Sequence, residues 1–188
     1  MTYERVRLFV ALELPEEVRE ELVRWRGPLL RGAEGVRPIS RADLHVTLCF
    51  LGWRTSIEIE PIASACEAVR AVAPLELALG DAALLPRRRP RVLAVSLVEA
   101  GGALTALHAA LSASLEPGGF YERERRPFYG HVTVARAGRG ARLPRAGMTE
   151  DGPNPARFTA ATVTLYRSRL GRGGASYEPL TRVALGSA

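Results

Sequence analysis

Lysine and glutamine are absent from this 188-residue sequence, so all 26 basic side chains are arginine. Cysteine is scarce: Cys49 and Cys66 stand seventeen apart without a Cys-x-x-Cys spacing. A disulfide framework is thereby excluded, and both read as buried free thiols in a reducing compartment. Long apolar runs are missing as well. Leu8-Phe9-Val10-Ala11-Leu12 is cut by Glu13, too short for a signal core, and no uncharged apolar stretch of about eighteen residues occurs. The expectation is a soluble, cytoplasmic protein. Hydrophobic residues at 47% and charged residues at 24% are the proportions of an ordinary globular chain. A net charge of +6 admits a phosphate-bearing partner without identifying one.

The pattern along the chain predicts an α+β fold. Residues 5–12 alternate as a strand. Pro15-Glu16-Glu17 opens a helix, since proline suits its first position and the acids complement its dipole. Val18, Leu22, Trp25 and Leu29 form that helix's apolar stripe, and Pro28 and Gly32 are expected to close it. A second helix is expected from Pro61 until Pro74 stops it, burying Ile62, Ala65, Cys66, Val69 and Val72. A third, from Gly102 to Leu115, presents Leu104, Leu107, Leu111 and Leu115. Strands are expected at 45–51, 75–80, 91–98, 131–136, 158–168 and 176–185, several alternating in polarity as in sheets covered on one face. The segment 137–157 reads as a long surface loop. No linker divides the chain, so residues 1–188 are expected to form a single bilobal domain.

One internal repeat stands out. His45-Val46-Thr47-Leu48 returns as His131-Val132-Thr133-Val134, each within a strand candidate, and the chain has only three histidines. Residues i and i+2 of a strand share a face about 7 Å apart, so each copy presents an imidazole and a hydroxyl together. The valines and leucine between them face apolar packing. A separation of 86 residues suits two similar lobes facing each other across a groove. Metal binding is poorly supported, because neither copy has a further histidine at ligand spacing. A nucleophile elbow is missing: Gly-x-Ser-x-Gly does not occur. Paired imidazoles suit in-line displacement at a phosphodiester, one taking a proton from water and the other giving one to the leaving oxygen. Threonine hydroxyls suit the charge that builds on the phosphoryl oxygens. The near-symmetry of the copies leaves open which histidine is acid and which is base. His108 lies between Leu104 and Leu111 and reads as a helix-edge residue.

These residues resemble the two-histidine phosphoesterases, and within them the bacterial and archaeal RNA 2′,3′-cyclic phosphodiesterases once called 2′-5′ RNA ligases. The resemblance spans nearly the whole chain. Arg7 to Leu12 is similar to the family's opening strand, and Leu44-His45-Val46-Thr47-Leu48-Cys49-Phe50-Leu51-Gly52 to its first motif. Arg126-Pro127-Phe128 with His131 to Arg136 resembles its second motif, and residues 163–168 and 174–177 resemble its closing strands. Gly130 stands where the family commonly has proline, and Asp43 where it often has asparagine. The resemblance implies a bilobal α+β fold, with two antiparallel sheets facing across a central groove and helices outside. It implies no metal or cofactor, and hydrolysis of a terminal RNA 2′,3′-cyclic phosphate to a 2′-phosphate. It makes His45 the proton donor, His131 the proton acceptor, and Thr47 and Thr133 the phosphate holders.

The same resemblance suggests Arg136 as a phosphate contact, yet simple alternation from His131 puts it on the opposite face unless the strand bulges. Tyr129 shares parity with His131 and is a candidate base-stacking residue; Arg126 flanks the groove as a further candidate substrate contact. Phe50 shares parity with Val46 and Leu48 and reads as core. The run from Arg87 to Arg91 reads as an exposed loop able to guide an RNA backbone. The expected partner is RNA with a cyclic phosphate end, handled by a monomer needing neither membrane nor obligate protein partner. The competing readings are a cyclic phosphodiesterase acting on small nucleotides or ADP-ribose cyclic phosphate, a non-catalytic RNA-binding module, and a metallohydrolase.

Overall fold

The computed structural model describes residues 3–143, 152–171 and 174–187. Its elements run β1 (Arg5–Glu13), α1 (Glu16–Leu30), β2 (Val36–Pro38), β3 (His45–Thr55), α2 (Ile59–Cys66), β4 (Leu75–Leu85), β5 (Val92–Glu99) and α3 (Ala103–Leu115). Then follow β6 (His131–Ala137), β7 (Arg157–Ala160), β8 (Thr162–Gly171) and β9 (Gly174–Ala184). The strands form one antiparallel sheet in the order β7-β4-β5-β6-β3-β1-β8-β9, with β2 added beside β6. Val46 and Val132 pair where β3 meets β6. The two facing sheets implied by the resemblance are therefore two halves of one curled sheet, β7-β4-β5-β6 with β2 and β3-β1-β8-β9, which meet where the two His-x-Thr copies lie.

Alternation along the strands separates the faces. Leu8, Val10 and Leu12 of β1, Val46 and Leu48 of β3, Leu93 and Val95 of β5, and Val132 and Val134 of β6 join one core. Ile62 of α2 and Leu107, Leu111 and Leu115 of α3 pack into the same core. Each such side chain contributes about 1.5–3 kcal/mol on burial. This core backs the strands that carry the histidines, which open onto the other face.

Four local differences from the sequence expectation have physical reasons. α1 runs through Pro28 to Leu30, because a proline in the last turn forfeits a single intrahelical bond. α2 starts at Ile59, with Pro61 in its first turn, where the backbone N–H groups are unpaired in any case. The strand expected at 158–168 is two: β7 pairs with β4 and β8 with β1, so the chain crosses between the halves at Ala161. β2, three residues long, pairs with the far end of β6 and has too few residues to show a period. Much of the loop expected at 137–157 lies outside the described residues.

Candidate active site

The two histidine strands share a fault in their alternation. Along β1, Glu13, Ala11 and Phe9 face His45, Thr47 and Phe50 in register, so one residue of β3 is extra between Thr47 and Cys49, namely Leu48. Along β5, Leu93 and Ala94 face Ala135 and Thr133, so Val134 of β6 is extra in the same way. A bulge turns every residue beyond it to the opposite face. Phe50 is consequently 47% exposed on the histidine side and is not core, correcting the reading by simple parity. Arg136 occupies the corresponding place in the second copy and joins the histidine face, as a bulge there requires. The β6 bulge is braced from outside: the Val134 carbonyl accepts from Ile39 N at 3.0 Å and from Arg26 Nη1 at 2.7 Å.

Arg26 itself was hidden among the surface arginines of the sequence. It is 6% exposed, one turn beyond the buried Val18 and Leu22, while Trp25 of the expected stripe is only half-buried. The spacing 18, 22, 26 was the available signal; a charged residue in an apolar row needs a buried acceptor, and the Val134 carbonyl provides it.

Both imidazoles are held alike. His45 Nδ1 lies 2.7 Å from the carbonyl of Asp43, and His131 Nδ1 lies 2.8 Å from that of Tyr129. A carbonyl only accepts, so each Nδ1 carries the proton and each Nε2 is free to exchange one at the groove. His45 Nε2 lies 3.1 Å from Thr47 Oγ1. Extending the Val46–Val132 register by one residue sets His45 against Thr133 and Thr47 against His131. Thr47 lines a cavity with each imidazole, so the two copies meet in one patch at the seam.

Their surroundings differ. His45 is walled by Phe9 and Tyr177, with ring centroids 4.9 and 5.2 Å away, and Tyr166 lies at 6.1 Å. Burial pushes its imidazole down to about 4; the Asp43 carbonyl and carboxylate oppose this, while Arg136 and Arg19 add to it. Beyond Tyr166, Glu13 accepts from Thr164 Oγ1 at 2.7 Å, Arg182 Nε at 2.8 Å and the Tyr166 hydroxyl at 3.1 Å. Burial alone would raise the Glu13 carboxyl, but these donors and the Arg182 charge hold it below the usual carboxylate range. Among the described residues, His131 has one aromatic ring partner, Tyr129, stacked at 5.6 Å and 49% exposed.

Three cavities follow the seam. One of about 300 Å³ is lined by Arg7, His45, Thr47, Phe50, Arg136, Ser168 and Tyr177. On the His131 side lies one of about 670 Å³, where Arg126, Tyr129 and His131 join Thr47. A third, of about 650 Å³, continues past Arg136 to Arg37 and Arg139. The structure therefore brings His45, Thr47 and Arg136 to one cavity, and His131, Tyr129 and Arg126 to its neighbour. The arginines at 87–89 are exposed in the turn between β4 and β5 and line none of these cavities. His108 is more than a helix-edge residue: its ring stacks on Phe128 at 4.2 Å and so anchors the segment leading to His131. Among the described residues, no three His, Cys, Asp or Glu side chains cluster as metal ligands. Likewise, no helix among them is long and apolar enough to cross a membrane.

Known proteins share this fold. The RNA 2′,3′-cyclic phosphodiesterase of Escherichia coli K12 is 32% identical over 95% of this chain and 96% of its own. A crystal structure from Thermus thermophilus superposes with a TM-score of 0.81 at 31% identity, covering 96% of this chain and 98% of the other. Escherichia coli LigT complexed with 3′-AMP gives 0.78 at 30% identity, over 97% and 99% respectively. Residues 14–172 match the 2′-5′ RNA ligase superfamily. With its doubled His-x-Thr seam, the chain belongs to that superfamily, the two-histidine phosphoesterases.

Proposed function

We propose that the chain works as a single bilobal domain that hydrolyses the 2′,3′-cyclic phosphate at RNA ends to a 2′-phosphate, without a metal ion. The observation that carries this reading is the two imidazoles, each anchored through Nδ1 to a carbonyl, with His45 Nε2 beside the Thr47 hydroxyl. The name of the Escherichia coli relative and the 3′-AMP bound to LigT support it.

His131 Nε2 takes a proton from water as the water oxygen bonds to phosphorus. The bond from phosphorus to O3′ breaks, and His45 Nε2 delivers a proton to that oxygen; the 2′ ester remains. Attack in line puts the water opposite O3′. The terminal ribose then lies on the His45 side, in the cavity of about 300 Å³, and water arrives from the His131 side. Thr47, Thr133 and Arg136 meet the phosphoryl oxygens. Tyr129 steadies His131 by stacking, and Arg126 adds positive potential at the rim. In the unliganded protein burial keeps His45 neutral near pH 7, so its proton arrives with the substrate, whose negative charge raises the imidazole. A monomer in a reducing cytoplasm completes the reading, in keeping with two buried, unbridged thiols.

RNA with a cyclic phosphate end, incubated in EDTA, tests the reading. Wild type is expected to release the 2′-phosphate, and His45→Ala and His131→Ala to lose about 10²–10⁴-fold. A nucleoside p-nitrophenyl phosphodiester, whose leaving group needs no proton, restores His45→Ala and not His131→Ala. Wild-type inactivity, or variants that match wild type, overturns the reading. Activity returning only with zinc assigns a metallohydrolase, and RNA binding without turnover assigns a binding module.

A further inference from the structure

Beyond the histidine patch, the same face of the sheet carries two exposed aromatic rings in a line. The register of β1 on β3 sets Glu13, Ala11, Phe9 and Arg7 against His45, Thr47, Phe50 and Trp53. A second extra residue, Leu51, next to Gly52 at φ 73°, returns Trp53 to the face that the first bulge gave Phe50. Trp53 is 53% exposed and Phe50 47% exposed. Each ring is paired with a cation: Arg7 lies 4.6 Å from the Phe50 centroid and Arg5 5.9 Å from that of Trp53. Arg7 is further fixed by Ser168 Oγ at 3.2 Å. Phe50 and Arg7 already line the His45 cavity, so the strip is continuous with the proposed ribose site.

Aromatic rings interleaved with arginines on an open sheet face are the arrangement that holds single-stranded nucleic acid, by base stacking and phosphate pairing. The rings are two strand steps apart, about 7 Å, well beyond the 3.4 Å step of stacked bases. Only splayed bases match that spacing.

We propose that this strip is the binding site for the RNA body: Phe50 takes the 3′-terminal base, Trp53 takes the preceding base, and Arg7 and Arg5 flank the phosphate between them. The proposal rests on the cyclic phosphodiesterase reading and narrows its substrate to oligonucleotides of at least two residues. A mononucleotide fills only the inner half of the strip. One stacked base is worth roughly 5- to 150-fold in binding.

Two measurements test it. First, kcat/KM is compared for a dinucleotide and a mononucleotide 2′,3′-cyclic phosphate. Wild type is expected to favour the dinucleotide about tenfold or more, and Trp53→Ala to bring that ratio near one; an unchanged ratio overturns the proposal. Second, the emission of the two tryptophans, half-buried Trp25 and exposed Trp53, is followed during titration with a single-stranded RNA trimer bearing a 3′-phosphate. Quenching that disappears in Trp53→Phe supports the strip even if no cyclic substrate is turned over, in which case only the phosphodiesterase reading fails. No quenching, or equal quenching by duplex RNA, overturns the strip. Dimerisation that is lost in Trp53→Ala would assign this surface to a second copy of the chain instead.

Discussion

Lowering the pH should destabilise the fold through His45. Its imidazole falls from an ordinary value near 6.5 to about 4, chiefly through burial among Phe9, Tyr166 and Tyr177. The unfolded chain therefore binds the proton first as pH falls. The contribution of neutral His45 is complete above about 6.5, declines below it, and is gone near 4. The gap of about 2.5 corresponds to roughly 3.4 kcal/mol at about 1.36 kcal/mol for each pKa unit. At pH 4.5 most of this is lost, and because the ring edge reaches groove water about 2 kcal/mol is the working figure. Urea unfolding of wild type and His45→Asn at pH 7.5 and 4.5 measures it: wild type should lose about 2 kcal/mol more than the variant between the two conditions. Ring proton NMR should give His45 a titration far below 6.5, moved upward by Tyr177→Ala and by a bound nucleoside 2′-phosphate. A His45 that titrates near 6.5, or equal pH sensitivity in the two proteins, would refute the reasoning.

Replacing Arg136 with Gln should raise KM for the cyclic substrate and reduce the dependence of log binding on log salt by about 0.7, as loss of one single-strand phosphate contact does. Arg26→Met leaves the bulge carbonyl of Val134 with one donor. It should cost about 1.5–3 kcal/mol in urea unfolding and slow turnover through a misplaced Arg136, while a conservative Arg26→Lys recovers part of both. Gly130→Ala puts a Cβ 2.4 Å from Leu104 Cδ2; the flexible leucine gives way, and a loss of about 1–3 kcal/mol is expected in the same assay.

Most of the candidate site's geometry was legible because two signals agreed. The His-x-Thr repeat marks its own strand faces, and the apolar residues around each copy give the strands their inner side. Legibility ended where alternation broke. Leu48 and Val134 look like ordinary inward residues of their strands, and nothing local distinguishes an extra residue from a paired one until the partner strand is known. That is why parity places Phe50 in the core, and why Arg136 reaches the histidine face only through a bulge. The crossover at Ala161 was invisible for a related reason: the pairing of β7 with β4 and of β8 with β1 is decided by partners at least 79 residues away. Arg26 was overlooked because composition places arginine at the surface by default, and its carbonyl partner is 108 residues distant.

The two bulges give the seam a handedness that its repeated tripeptides lack. Both halves perform the same geometric operation, yet one delivers a phenyl ring and the other a guanidinium. A groove lined only by two His-x-Thr copies would accept a phosphodiester in either orientation. With a ring and a cation placed unevenly along the His45 cavity, the proposed site would read the polarity of an RNA strand laid into it. Exchanging the side chains of Phe50 and Arg136 would be expected to turn that polarity around, with the imidazoles left where they are.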